Sequence, residues 1–227
     1  MRKKKVLIFS GAGISAESGL QTFRGQNGLW ENYPVESVAS PEGWRSNPQR
    51  VLRFYNQRRT QLSAAKPNEA HQAIARLEKH CEVVVVTQNV DDLHERAGST
   101  QVLHLHGELC KARSSDEENL VYHIAYKNIN LGDKCERGSQ LRPHIVWFGE
   151  YPFLLEEAGE HIASASHILV VGTSLQVQPA ASLLSYATQA AEKVIISLEA
   201  SGLANSFIHL QGKATQHVPE ICSAWTK

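Results

Sequence analysis

Five short apolar runs punctuate the chain. Val6-Leu-Ile-Phe9 meets Gly11, Val83-Val-Val-Val86 ends at Thr87, and Ile145-Val-Trp-Phe148 ends at Gly149. Ile168-Leu-Val-Val171 ends at Gly172, and Val194-Ile-Ile-Ser197 closes the series. Continuous runs of this length suit strands buried on both faces, as in a parallel sheet. Helical spacing lies between several of them. Asn68 is placed to cap a helix carrying Ala70, Ile74 and Leu77, and Pro179 to open one carrying Leu183, Leu184 and Ala187. The alternation predicts an α/β, Rossmann-like doubly wound parallel sheet, with ligands beyond the carboxyl ends of its strands.

Residues 27–63 and 108–144 break the alternation. The first stretch holds Pro34 and Pro41, then helical spacing from about Pro48; the second is polar and irregular. Both are read as insertions that build a smaller domain. The Rossmann-like domain is then 1–26, 64–107 and 145–227.

Composition narrows the class. The 227 residues suffice for a core plus a sizeable insertion. With 23 basic and 23 acidic residues, bulk charge argues against a nucleic-acid partner. Met1-Arg-Lys-Lys-Lys5 is basic, but the apolar run after it is too short for a signal core. Nothing approaches the ~18 apolar residues of a spanning helix. A cytoplasmic protein with no membrane partner is expected. Cys81, Cys110, Cys135 and Cys222 form no C-x-x-C pair and are read as buried or free thiols.

Four segments carry candidate chemistry. Gly11-Ala-Gly-Ile-Ser-Ala-Glu-Ser-Gly19 follows the first strand, where glycines let backbone approach a pyrophosphate. The spacing is not G-x-G-x-x-G, and no acid follows ~20 residues on to hold a ribose, so a hydride-transferring dehydrogenase fits poorly. A tight turn without a ligand is the alternative. Thr87-Gln-Asn-Val-Asp-Asp-Leu-His94 offers amides and carboxylates to a ribose or an amide, or caps a helix. In Leu103-His-Leu-His-Gly-Glu108, His104 and His106 alternate and share a strand face, as a metal site or a general base would require; a satisfied structural histidine is the alternative, and the glycine after His106 favours function. Gly172-Thr-Ser174 offers hydroxyls and N–H groups to a phosphate or ribose.

Together with Thr22-Phe-Arg24, Val146-Trp-Phe-Gly-Glu150 and Gly172-Thr-Ser-Leu-Gln-Val-Gln-Pro-Ala180, these segments resemble the sirtuins, in the family's order and over nearly the whole chain. The likeness is nearest to bacterial lysine deacylases. It implies an enzyme that consumes NAD, removes acyl groups from lysine, and releases nicotinamide and O-acyl-ADP-ribose. His106 matches the general base and Asn89 a catalytic partner; a neutral imidazole suits the base's task. Gln88, Asn89 and Asp91 match contacts to the nicotinamide and ribose. Gly11, Ala12, Gly13, Ile14, Glu17, Phe23 and Arg24 match the turn and loop over the cofactor. Gly172, Thr173, Ser174, Ser197 and Ala214 match its adenosine side. Val146, Phe148 and Gly149 match a segment that pairs with an extended acyl-lysine peptide.

Three departures stand out. The family's two zinc-binding C-x-x-C pairs have no counterpart in Ala112-Arg-Ser-Ser-Asp-Glu117, and only Cys135 in Lys134-Cys-Glu-Arg-Gly-Ser139; a tetrahedral site wants four ligands, so no zinc is expected. Ser197 replaces the usual Asn, and Gln21 replaces a frequent Pro.

The helix from Pro48 carries Val51, Leu52, Tyr55 and Leu62 at helical spacing, with Arg58 on the face of Tyr55. An arginine there is costly if unpaired: it snorkels to solvent, pairs with a nearby Glu, or serves a bound carboxylate. Tyr and Arg together suit a carboxylate. The pair also resembles the Tyr-x-x-Arg of sirtuins that remove acidic acyl groups, which implies activity on succinyl-, malonyl- and glutaryl-lysine beside some deacetylation. The alternatives are a mono-ADP-ribosyltransferase, and a non-catalytic NAD or ADP-ribose binding module with His106 idle.

Overall fold

A computed structural model describes residues 3–22, 34–198 and 206–227. Strand β1 (Lys5–Ser10) lies inside a six-stranded parallel sheet and is followed by one helical turn, α1 (Gly13–Ala16). Helices α2 (Val35–Val38), α3 (Pro41–Ser46) and α4 (Pro48–Ala64) come next. Then follow α5 (Glu69–Leu77), β2 (Glu82–Thr87), α6 (Leu93–Ala97) and β3 (Val102–His104). Strands β4 (Gly107–Ser114), β5 (Val121–His123) and β6 (Leu141–Ile145) form a second sheet. The chain returns through α7 (Leu155–Ser164), β7 (His167–Val171), a 3-10 helix (Ala180–Tyr186), β8 (Glu192–Ser197), β9 (Ile208–Gln211) and α8 (Ala214–Trp225).

The large sheet runs β3-β2-β1-β7-β8-β9, with every neighbour parallel. Side chains of a strand alternate between faces. Val6 and Ile8 of β1 therefore enter a core with α5 and α8, while Leu7 and Phe9 enter another with α7 and the 3-10 helix. All four are fully buried, which is why β1 reads as an unbroken apolar run. The capping role expected of Asn68 is present: its Oδ1 accepts from the Ala70 and His71 N–H groups. The helix expected after Pro179 forms as a tighter 3-10 helix, and it buries Leu183 and Leu184.

One expected strand is corrected. Ile145-Val-Trp-Phe148 does not join the parallel sheet. Ile145 ends β6, which pairs antiparallel with β4 in the small sheet of order β5-β4-β6. Ile145 and Trp147 are buried, Val146 half-buried and Phe148 46% exposed, an alternation that belongs to a segment buried on one face only. Trp147 packs with Val51, Phe54, Tyr55 and Leu62 of α4, which fastens the helix over the junction of the two sheets. Each such buried side chain contributes about 1.5–3 kcal/mol.

Two residues separate β3 from β4, and Gly107, the first residue of β4, makes the step. Its φ is +81°, and a Cβ there would collide with the His144 carbonyl. At the tip of the small sheet, the segments that correspond to the family's zinc pairs lie together. Cys135 Sγ donates to Ser114 Oγ at 3.5 Å and Ser139 Oγ to Asp116 Oδ2 at 2.7 Å. Among the described residues, no three His, Cys, Asp or Glu side chains are placed to hold a metal ion. All four cysteines are buried and free. Among the described residues, no helix is long and apolar enough to cross a membrane.

Candidate active site

The carboxyl ends of β1, β2, β3 and β7 converge. Gly13 N donates to Gly172 O at 2.8 Å. A Cβ on Gly11 would stand 2.7 Å from Thr173 Cβ, and one on Gly13 2.7 Å from Gly172 Cα. These glycines therefore have a packing reason of their own: two strand ends meet backbone to backbone. Helix α1, with Ile14, spans four residues, so its dipole gives little help to an anion. Ala12 lies half-buried at its start.

At the end of β2, Asn89 and Asp91 are buried. Thr173 Oγ1 donates to Gln88 Oε1 at 2.8 Å and fixes that amide. Asn89 Nδ2 donates to Ser15 Oγ at 3.3 Å, and Ser15 Oγ donates to Asp91 Oδ2 at 3.0 Å. The other Asp91 oxygen accepts from Leu93 N. Burial raises the Asp91 pKa, while those two hydrogen bonds work the other way. Two buried amide atoms, Gln88 Nε2 and Asn89 Oδ1, have no partner among the described residues. A buried donor and acceptor left open in this way fit an amide-bearing ligand such as NAD's nicotinamide.

Leu103 and Leu105 sink into the core under the sheet, so His104 and His106 face the other side. Half-buried His106 donates Nδ1–H to Gln88 O at 3.1 Å, which leaves Nε2 as the basic nitrogen. Burial lowers its pKa below the usual imidazole value, so the ring is neutral and ready to accept a proton at neutral pH. His104 does not join it on a shared ligand: its nitrogens face Asn89 O and Glu95.

Tyr55 and Arg58 are buried on the inner face of α4. Trp147 Nε1 donates to Tyr55 Oη at 3.0 Å, which leaves the phenol proton to donate elsewhere. Burial raises the phenol's pKa and keeps it protonated. Arg58 Nη2 donates to Gln21 O at 3.2 Å, and the side chain lines a narrow cleft with Ser15, Leu20, Asn89 and Asp91. Burial lowers the Arg58 pKa, and the Asp91 charge opposes that fall. The snorkelling alternative is not what forms, because Arg58 is only 9% exposed.

The remaining expected residues are dispersed. Val146 N donates to His106 O at 2.9 Å and Phe148 N to Ala39 O at 3.0 Å; Gly149 follows at φ +93°. Glu17 is tied to the start of α8 through Thr215 N and Oγ1, beside buried Ala214. Ser174 is exposed, and Ser197 Oγ lies 2.9 Å from His209 Nε2. Phe23 and Arg24 lie outside the described residues. Sequence reasoning did not single out Ser15, the link between Asn89 and Asp91, because a serine inside a glycine turn carries no periodic signal.

The Sir2 family model matches residues 11–179. An NAD-dependent protein deacylase of Helicobacter pylori is 59% identical over 184 residues, covering 81% of this chain and 80% of its own. One from Vibrio cholerae is 45% identical over 227 residues, covering 96% and 92%. Among solved structures, a Sir2 homolog–NAD complex superposes with a TM-score of 0.88 at 39% identity, covering 98% of this chain and 90% of that one. A Sir2 homologue mutant bound to ADP-ribose reaches 0.91 at 39% identity, covering 98% and 92%. The chain belongs to the Sir2 family of NAD-dependent protein deacylases.

Proposed function

We propose that this chain removes acidic acyl groups, succinyl and malonyl above all, from protein lysines, and removes acetyl beside them. The observation that carries the reading is Arg58: a buried guanidinium in the cleft that Asn89 and Asp91 also line. A guanidinium can bind a carboxylate on the acyl chain through two parallel hydrogen bonds, and the Tyr55 hydroxyl adds a third. His106 acts as the general base, with Nε2 taking a proton from a ribose hydroxyl. Gln88, Asn89 and Asp91 hold the nicotinamide and its ribose. Nicotinamide leaves, and the acyl group passes to ADP-ribose. The acyl-lysine enters as an extended peptide along Val146–Gly149, pairing through backbone.

The test is an acyl-peptide panel of acetyl-, malonyl-, succinyl- and glutaryl-lysine, followed by mass spectrometry with and without NAD. The expected result is NAD-dependent loss of succinyl and malonyl, with free nicotinamide and an O-acyl-ADP-ribose of matching mass. Nicotinamide release without acyl-lysine would instead favour ADP-ribosyl transfer.

A further inference from the structure

His104 is the more completely bonded of the two alternating histidines. It is buried at the end of β3. Nδ1 lies 2.9 Å from the Asn89 carbonyl, and Nε2 lies 2.7 Å from Oε1 of Glu95 on α6. A carbonyl and an ionised carboxylate can only accept, so each ring nitrogen must carry a proton. His106, two residues on, takes the preceding carbonyl, that of Gln88. The two histidines thus hold successive carbonyls of one loop. That loop bears the open amide atoms Gln88 Nε2 and Asn89 Oδ1.

We propose that His104 is a positioning residue: a doubly protonated imidazole, anchored by Glu95, that fixes the Asn89 peptide and so aims the Asn89 and Asp91 side chains at NAD. This rests on reading Gln88, Asn89 and Asp91 as cofactor contacts.

The surroundings favour the cation. Glu95 comes from α6, Glu108 from β4 and Asp91 from the loop, and each is an acid. Among the described residues His94 of α6 is a base coupled to the ring; burial drives its pKa down and keeps it neutral. Burial works against charge on His104, but the Glu95 hydrogen bond and the charges of Glu95 and Glu108 outweigh it and hold the ring's pKa above the ordinary value. A histidine raised in this way holds its proton to higher pH than an ordinary imidazole and loses it as pH rises through the raised value. One of the two contacts then fails and the Asn89 peptide is released. The result is an alkaline limb on kcat/KM for NAD, separate from the acid limb that belongs to His106.

Nitrogen-15 NMR of the full chain, labelled at histidine, reads the ring directly. At neutral pH both nitrogens of His104 should be protonated. In Glu95→Gln the ring should titrate at lower pH, and the alkaline limb should move with it. KM for NAD should rise about ten- to hundredfold, since small misplacement of a positioned group costs that much, while KM for the acyl-peptide holds within about twofold. Glu95→Asp should recover part of the loss. A single protonated ring nitrogen in the wild type would overturn the proposal, as would an unchanged KM for NAD and alkaline limb in Glu95→Gln. Asn89→Ala separates the premises. Normal NAD binding there removes the loop from the cofactor site, and the role of His104 falls with it. Lost binding there beside an unaffected Glu95→Gln overturns His104 alone.

Discussion

At the residue scale, hydrogen bonding assigns different work to two histidines that read alike. His106 spends Nδ1–H on Gln88 O and keeps Nε2 basic, whereas His104 has an oxygen on each nitrogen. His106→Ala should keep the fold and lower kcat by about 10²–10⁴, the usual worth of a general base. Circular dichroism and steady-state deacylation check this, and near-normal turnover would remove His106 from the mechanism. Because burial lowers the His106 pKa, activity should fall as pH drops through a value below 6.5, where the base becomes protonated. The sequence made the pair visible through alternation with Leu103 and Leu105. It could not separate their roles, because Glu95 and the two loop carbonyls meet them only in three dimensions.

At the element scale, Gly107 shows how backbone geometry sets the position of His106. The sequence reading took a glycine after His106 as a hint of function. The structure gives it a steric cause: positive φ and the His144 carbonyl directly behind it. Gly107→Ala should destabilise by about 1–3 kcal/mol, the cost of a strained backbone conformation. It should also lower kcat, because Gly107 follows His106 directly and starts β4. A thermal melt and a rate on one preparation check both, and an unchanged melting temperature would contradict the strain argument. Four of the five apolar runs became strands of the parallel sheet, since burial on both faces leaves a continuous signature. The fifth did not, because Ile145 and Trp147 bury one face while Phe148 meets solvent. β3, three residues long, was legible only through the alternation around His104, and most of β9 is exposed, so it wrote no pattern strong enough to be read.

At the scale of the whole molecule, buried neutral histidines make stability depend on pH. Burial lowers His71 to about 4, and lowers His144 to about 4 with Arg113 assisting. In the unfolded chain both return to about 6.5. Between those values the unfolded state binds more protons, so stability falls as pH falls through that window. His71 contributes on the order of 3 kcal/mol across the window, at about 1.4 kcal/mol per unit, and the partly exposed His144 less, because solvent screens it. Glu150, held below its usual value by Arg142 and Arg113 against the cost of burial, adds a loss in the same direction at lower pH. The urea midpoint should therefore drop steeply from neutrality towards pH ~4, and His71→Gln should flatten the slope. A midpoint independent of pH in that range would contradict the assignment.

The most direct measurement compares kcat/KM for succinyl- and acetyl-lysine on the same peptide, in the wild type and in Arg58→Met. Succinyl brings a carboxylate to the guanidinium and acetyl brings none, and a charged hydrogen bond is worth about 1.5–3 kcal/mol. Desuccinylation should fall by about tenfold or more, with deacetylation held within a few-fold. Equal losses on both substrates would make Arg58 a structural residue and contradict the acidic-acyl assignment.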